Sequence, residues 1–304
     1  MNPSTDWSIG VDLGGTKVVA AILGPDGALQ ARQTIATGAS FTPAMLIEFV
    51  AAVRAAASEA AIGAIGIGFP GLVDRDSGRV LSSVILPSWQ GTDLSESMSD
   101  RLGIPCVVAN DVHNAARAEA HVRGSSEPEL FFVSVGTGIG GAWLAQGAVR
   151  GGASGLAGEI GHMVVSDGPA CACGRRGCVG ALASGRAIES RLGLAPGALA
   201  DRMRDPRPED DAAVREAGTM LGRALANLIH LIHPALVVIG GGVAEIPGYV
   251  ESAAATAATE VIGEFSPRPR IERARAGYDA GVLGSALLGR EMAGASGAAK
   301  GRRP

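Results

Sequence analysis

Three glycine-rich stretches in this sequence could face a nucleotide, two its phosphates and one its base: Asp12-Leu-Gly-Gly-Thr-Lys17, Gly136-Thr-Gly-Ile-Gly-Gly141 and Ile239-Gly-Gly-Gly242. Successive glycines let backbone N–H groups converge on phosphate oxygens without side-chain obstruction. In the first stretch Thr16 adds a hydroxyl donor. Asp12 suits Mg²⁺, which takes few carboxylates and several waters. The Walker spacing is absent from the whole sequence. The second stretch fits GxGxxG formally, but a dinucleotide fingerprint needs a helix directly after it. Ala142–Gln146 is short and ends at Gly147, so a second phosphate hairpin is expected there instead. Three glycines after Ile239 leave a flat surface on which a planar base could lie. Each of these turns, taken alone, is also an ordinary chain reversal.

A second group of residues could hold and activate a hydroxyl. Asn110-Asp111 closes a short apolar run before a helical pattern. Asp in that position is a common helix cap. If it faces a ligand, its carboxylate can accept the proton of an alcohol attacking phosphorus. Asn110 can donate and accept at once, as a sugar hydroxyl requires. Glu159 could accept from two neighbouring hydroxyls. His162 has two ring nitrogens, one for a metal and one for a ligand.

Cys171-Ala-Cys173-Gly-Arg-Arg-Gly-Cys178 supplies three thiolates within eight residues. With His162 upstream they complete a Cys₃His set, which is closed for structural zinc and leaves no open position for catalysis. The alternative is three free cysteines. Cys106, on an apolar run, is read as core.

The elements that must position these groups follow from periodicity. Ser8–Val11 and Val18–Leu23 flank the first glycine turn as a hairpin, and Ala28–Ile35 is a third strand. Pro43–Ala60 is a helix, Ala64–Gly68 and Cys106–Ala109 are strands, and Val112–Val122 is a helix. Phe131–Val135 and Ala142–Gln146 form a second hairpin, which repeats the strand–turn–strand opening of the chain. Pro206–Asp211 is read as an exposed connection. Asp211–His233 repeats apolar residues at threes and fours, a long helix, and Leu236–Ile239 is a buried strand. The echo predicts two similar α/β lobes with their glycine turns on a shared cleft. The expected division is 1–112 and 113–279, with a helix over 280–292 completing the first lobe and a disordered tail over 293–304.

Bulk properties exclude other classes. The 304 residues exceed one ordinary core, and 47% are hydrophobic. Thirty acidic against 26 basic residues give a net charge of −4, which offers nucleic acid and anionic membranes no attraction. No apolar run approaches the ~20 residues of a membrane span. The polar start, with Asp6, is not a secretory signal. A cytoplasmic chain is expected.

Taken together, the motifs resemble the ROK family (repressors, open reading frames and sugar kinases). The resemblance runs over almost the whole chain. It rests on the three glycine stretches, Gly68-Phe-Pro-Gly-Leu-Val-Asp74, Asn110-Asp111, Glu159-Ile-Gly-His162 and Cys171-x-Cys-x4-Cys178. It implies a two-lobed, actin-like ATPase fold of the hexokinase type, with ATP and Mg²⁺ as phosphoryl donor. It implies 6-phosphorylation of a hexose, with Asp111 as base and Gly68, Asn110, Asp111, Glu159 and His162 on the sugar. The implied phosphate set is Asp12, Gly14, Gly15, Thr16, Lys17, Gly136, Thr137, Gly138, Gly240, Gly241 and Gly242. His162, Cys171, Cys173 and Cys178 would hold Zn²⁺. A homodimer is also implied. The repressor branch carries a winged helix-turn-helix ahead of the phosphate motif; here that motif starts at residue 12, so an enzyme is expected, with a non-catalytic sugar sensor as the alternative. One position departs from the family. Two residues beyond the third cysteine, where the family has Glu near the anomeric end of the sugar, this chain has Gly180. That makes an amino-hexose such as kanosamine, or an N-acylated one, a candidate beside glucose. His113 likewise stands where the family has a small residue or Asn.

Overall fold

The structure is a computed structural model that describes residues 7–38, 40–56, 61–124, 129–263 and 268–300. It divides into two compact units, 1–122 with 151–156 and 278–304, and 123–150 with 157–277. The break thus falls one helix later than the sequence suggests. Among the described residues no helix is long and apolar enough to cross a membrane.

The first unit opens with β1 (Trp7–Leu13), β2 (Lys17–Leu23) and β3 (Leu29–Ala36), followed by α1 (Pro43–Ala55) and β4 (Ile62–Phe69). Residues 57–60, the end of the expected first helix, lie outside the described residues. A small ribbon of β5 (Leu72–Val73) and β6 (Val80–Ser82) precedes α2 (Leu94–Leu102), β7 (Cys106–Asn110) and α3 (Asp111–Arg123). The sheet order is β3-β2-β1-β4-β7. The hairpin pairs are antiparallel and β1–β4 and β4–β7 are parallel.

The second unit repeats this plan. It contains β8 (Glu129–Val135), β9 (Ile139–Ala145), β10 (Ala148–Val149), α4 (Val179–Ala183), α5 (Gly185–Arg191), α6 (Leu199–Arg202), α7 (Pro208–Ile232), β11 (Leu236–Gly240), α8 (Tyr249–Glu260) and β12 (Arg270–Arg273). Its sheet order is β10-β9-β8-β11-β12, again a hairpin joined to parallel strands. No helix follows the second glycine turn; Ile139 already begins β9, so the dinucleotide pattern has no structural counterpart. The apolar stripe of α7, including Val214, Ala217, Leu221, Leu225 and Leu228, lies in the core with Val237 and Ile239 of β11. Each fully buried Leu or Val there is worth about 1.5–3 kcal/mol.

The chain then returns to the first unit as α9 (Ala280–Lys300). The helix extends past residue 292, where a tail was expected; residues 301–304 lie outside the described residues. Strand alternation explains how α9 sits so close to the sheet. Ile9, Val11 and Leu13 of β1, with Ile65, Ile67 and Phe69 of β4, point into the core shared with α1 and α2. Ser8, Gly10 and Asp12, with Gly66, take the opposite face. There a Cβ on Gly10 or Gly66 would strike the α9 backbone at Val282, Ala286 or Ser285.

Candidate active site and metal centre

In the first unit, the Asp12–Lys17 turn is closed by Gly14 N–H donating to the Lys17 carbonyl at 2.9 Å. Sequence reasoning missed Thr37, which fastens the turn from outside. Its hydroxyl donates to the Gly14 carbonyl at 2.9 Å, and its N–H donates to the Thr16 carbonyl at 2.9 Å. Gly15 and Thr16 are exposed. Asp12 is half-buried against the start of α9, where Gly281 has no room for a side chain beside the carboxyl. Burial pushes the Asp12 carboxyl above its ordinary pKa, and the Lys17 charge opposes that shift. The Lys17 ammonium itself hydrogen-bonds the Tyr278 hydroxyl and lies 4.4 Å from that ring's centroid. Nothing local in the sequence signals this partner.

Asn110 ends β7 and caps α3. Its Oδ1 accepts from Val112 N–H at 2.9 Å and His113 N–H at 3.2 Å, while Nδ2 donates to the Gly71 carbonyl at 3.1 Å. The cap is therefore Asn110, and only one N–H of its amide is left for a ligand; the expected acceptor role of Asn110 is spent on the helix. Asp111 is half-buried, and its Oδ1 also accepts from Val112 N–H at 2.9 Å. Gly68 is buried. The space a side chain would need is filled by Ser285 Oγ at 3.0 Å and Asn114 Nδ2 at 3.3 Å, with Asp111 Cα at 3.5 Å.

In the second unit, Gly136 N–H donates to the Gly138 carbonyl at 2.9 Å, and Gly185 N–H of α5 donates to the Gly136 carbonyl at 2.8 Å. Gly136, Thr137 and Gly242 share one cavity of about 780 Å³. Its wall also includes Met203, Arg207, Val214 and Ile246, none of which sequence reasoning flagged. The stretch read as an exposed connection forms part of it, with α7 starting at Pro208. Asp210 there is only 1% exposed and pairs with Arg202 at 2.7 Å. Of the third glycine run, Gly240 is buried in β11 against Phe132 and Ala274, and so does not face the cavity. Gly241 takes φ +89° beside the end of β8, a close approach that only glycine allows.

A second cavity of about 620 Å³ shares Thr137 with the first and is lined by Gly138, His162, Gly180, Ser184 and Arg186. Glu159 stands outside it, exposed and capping no helix with its side chain. A Cβ on Gly180 would lie 3.1 Å from the Gly161 carbonyl, so a side chain there needs a few tenths of an ångström of movement.

His162, Cys171, Cys173 and Cys178 offer donor atoms within 4.8 Å of one another. Cys171 Sγ lies 3.7 Å from His162 Nδ1, and Cys173 Sγ lies 3.7 Å from Cys178 Sγ. Zinc–sulfur bonds of about 2.3 Å in a tetrahedron give edges of about 3.8 Å, so the donor set is compatible with a zinc site. Cys106 is remote from it in chain and role; burial in β7 raises its thiol pKa. With no metal, the backbone N–H and side chain of Arg175 pull the Cys173 thiol down to about 6, whereas burial pushes Cys178 up to about 11. Arg175 also donates to the His162 carbonyl at 2.7 Å, fixing the backbone of the one ligand outside the cysteine loop. Nδ1 faces the thiols, which leaves Nε2 as the nitrogen available to the cavity.

Comparison with known proteins accounts for this set of motifs. The ROK family profile matches residues 8–292. The chain belongs to the ROK family. Its relatives include an N-acetylmannosamine kinase of Escherichia coli O1:K1 / APEC, 32% identical over 92% of this chain and 97% of that protein. Another N-acetylmannosamine kinase, from Salmonella typhi, is 31% identical over the same shares. Among solved structures, the ROK hexokinase from Thermus thermophilus superposes with a TM-score of 0.82, at 31% identity over 95% of this chain and 99% of that one. A ROK glucokinase from Streptomyces griseus, in complex with glucose and AMPPNP, gives 0.79 at 29% identity over 94% and 99%. The ROK chain therefore has the two-lobed α/β architecture of these hexokinases, as its motifs implied.

Proposed function

We propose that this protein is an ATP-dependent kinase that phosphorylates the 6-hydroxyl of a hexose or amino-hexose, with Asp111 as general base. The observation that carries the reading is the pair of cavities meeting at Thr137. The larger, with the apolar Met203, Val214 and Ile246 and the glycine run ending at Gly242, suits a nucleotide. The smaller has His162 and Gly180 in its wall and suits the acceptor. Both relatives and solved neighbours are named as sugar kinases, which supports the same class of reaction.

In the proposed step the sugar O6 forms a bond to the γ-phosphorus of ATP as the bond to the β,γ-bridging oxygen breaks. ADP leaves with that electron pair, and the hydroxyl proton passes to the Asp111 carboxylate. The Gly15–Thr16 and Thr137–Gly138 backbones donate to phosphate oxygens, with the Gly136 N–H closing the turn. Bound Mg²⁺ would neutralise phosphate charge, and Asp12 is the carboxylate suited to hold it or its waters. His162 meets the ring hydroxyls from the cavity wall, and Glu159, which stands outside that cavity, would have to turn inward to accept from them. Zinc, held by His162 and the three cysteines, fixes the imidazole and supplies no chemistry. The enzyme acts as a homodimer in the cytoplasm.

Gly180 leaves the acceptor cavity open where a carboxylate would fill it, which favours a substituted or amino sugar over glucose. The test is a panel of glucose, mannose, kanosamine and N-acetylhexosamines with ADP detection, run on the parent and on Gly180→Glu. Turnover by the parent, with preference moving toward glucose in the variant, is expected. No turnover on any sugar, with sugar binding retained, would instead identify a sensor.

A further inference from the structure

Three polar side chains inside the first unit have no place in the proposed chemistry, yet all are paired. Ser8, Asn114 and Ser285 are each fully buried. Asn114 Nδ2 donates to Ser285 Oγ at 3.0 Å, and that hydroxyl donates to the Gly281 carbonyl at 2.8 Å. Arg117 donates to Asn114 Oδ1 at 3.1 Å, while its Nε reaches Glu291 of α9 at 3.1 Å. On the other side of α9, Ser8 of β1 donates to the Ala286 carbonyl at 2.7 Å. Two glycines of α9 remove the cushion that side chains would provide. A Cβ on Gly284 would overlap the Asn114 carbonyl, and one on Gly281 would overlap the Asp12 carboxyl.

These ties run between the two carboxylates of the proposed reaction. Asp111 starts α3, one turn before Asn114; Asp12 ends the stretch of β1 that begins at Ser8. An apolar contact would hold helix to strand equally well, but would tolerate sliding. A satisfied buried hydrogen-bond network fixes one register.

We infer that α9 is the spacer that sets the separation of Asp12 and Asp111, and that Ser285, Asn114 and Ser8 are positioning residues for phosphoryl transfer. The inference rests on the kinase reading above. Displacing a reacting group by about 1 Å costs roughly 100-fold in rate without loss of binding. Ser285→Ala and Ser8→Ala each remove one tie with little change in volume. Each should lower kcat by roughly 10- to 100-fold, with KM for ATP and for the sugar within about twofold of the parent.

The control is Leu288→Ala, a buried α9 side chain outside the network, which should lose thermal stability while keeping kcat. Two independent ties are tested, so misfolding of one variant leaves the other as the measurement. The inference is overturned if both serine variants keep kcat within about threefold of the parent. It is equally overturned if Leu288→Ala loses as much turnover at a matched fall in Tm, since the network would then be ordinary support. A parent that transfers phosphate to no sugar removes the kinase reading itself; an active parent with unaffected serine variants removes only the spacer.

Discussion

Gly281→Ala adds one methyl group at the point where α9 meets Asp12. The new Cβ would lie 2.7 Å from Asp12 Oδ1 and closer still to the rest of the carboxyl. Ordinary carbon contacts begin near 3.5–4.0 Å, so carboxyl and helix must part by about an ångström. The cost to folding is small because two terms oppose. Overpacking costs about 1–3 kcal/mol, while replacing a helical glycine returns up to about 1 kcal/mol. Tm should fall by no more than roughly 5 °C. The cost to turnover is larger. A misplacement of about 1 Å at a reacting centre corresponds to roughly 100-fold, or about 2.7 kcal/mol in the barrier. The assay is steady-state kcat with coupled ADP detection beside a thermal melt of the same preparation. A variant that melts like the parent and turns over within about threefold of it would refute the placement of Asp12 in the reaction.

Asp111→Asn should keep sugar binding by calorimetry and lose at least ~100-fold in kcat, as expected for a missing general base; near-normal turnover would remove Asp111 from that role. Purified protein should carry one zinc per chain by elemental analysis, and chelation should lower Tm, because the metal ties His162 to the cysteine loop. Absence of metal together with an unmoved Tm would leave the four residues as free side chains. Asp210 gives a pH test. Burial pushes its carboxyl up, but Arg207 N–H and the Arg202 guanidinium outweigh burial and hold it below the usual range. Its stabilisation is complete above the unfolded value of about 3.9 and is lost as pH falls through the lower folded value. The Tm gap between parent and Asp210→Asn should therefore be wide at pH 7 and close below about pH 4. A gap independent of pH would show that the charge contributes nothing.

The hairpins β1–β2 and β8–β9 were legible because glycine turns punctuate alternating apolar runs. The long helix α7 was legible because its core stripe recurs at threes and fours. Its partner α8 was not. The two helices meet through Gly218 and Gly222, close against the backbone of Tyr249 and Ala253, and small residues leave little periodic signal. The short helices α4–α6 follow the cysteine loop and owe their placement to long-range contacts that no local pattern encodes. The candidate site residues were read as a set, but their local hydrogen-bond roles were not. Which of Asn110 and Asp111 caps α3 depends on Asn110 Oδ1 reaching two N–H groups, a matter of backbone geometry. Gly68 and Gly240 are ambiguous in sequence because close packing and close ligand approach call for the same residue. Residues 206–209 are exposed, as their composition suggests; the burial of Asp210 was not legible because it comes from Arg202, on another helix.

Thr37 has a consequence for what the first glycine turn can select. A bare turn is amphoteric: its carbonyls attract cations and donors as readily as its N–H groups attract anions. Thr37 occupies the Gly14 and Thr16 carbonyls, one with its hydroxyl and one with its amide. Those two carbonyls are then closed to an incoming cation or donor. Two of the turn's acceptors are in this way removed by a residue just beyond β3, before any ligand arrives.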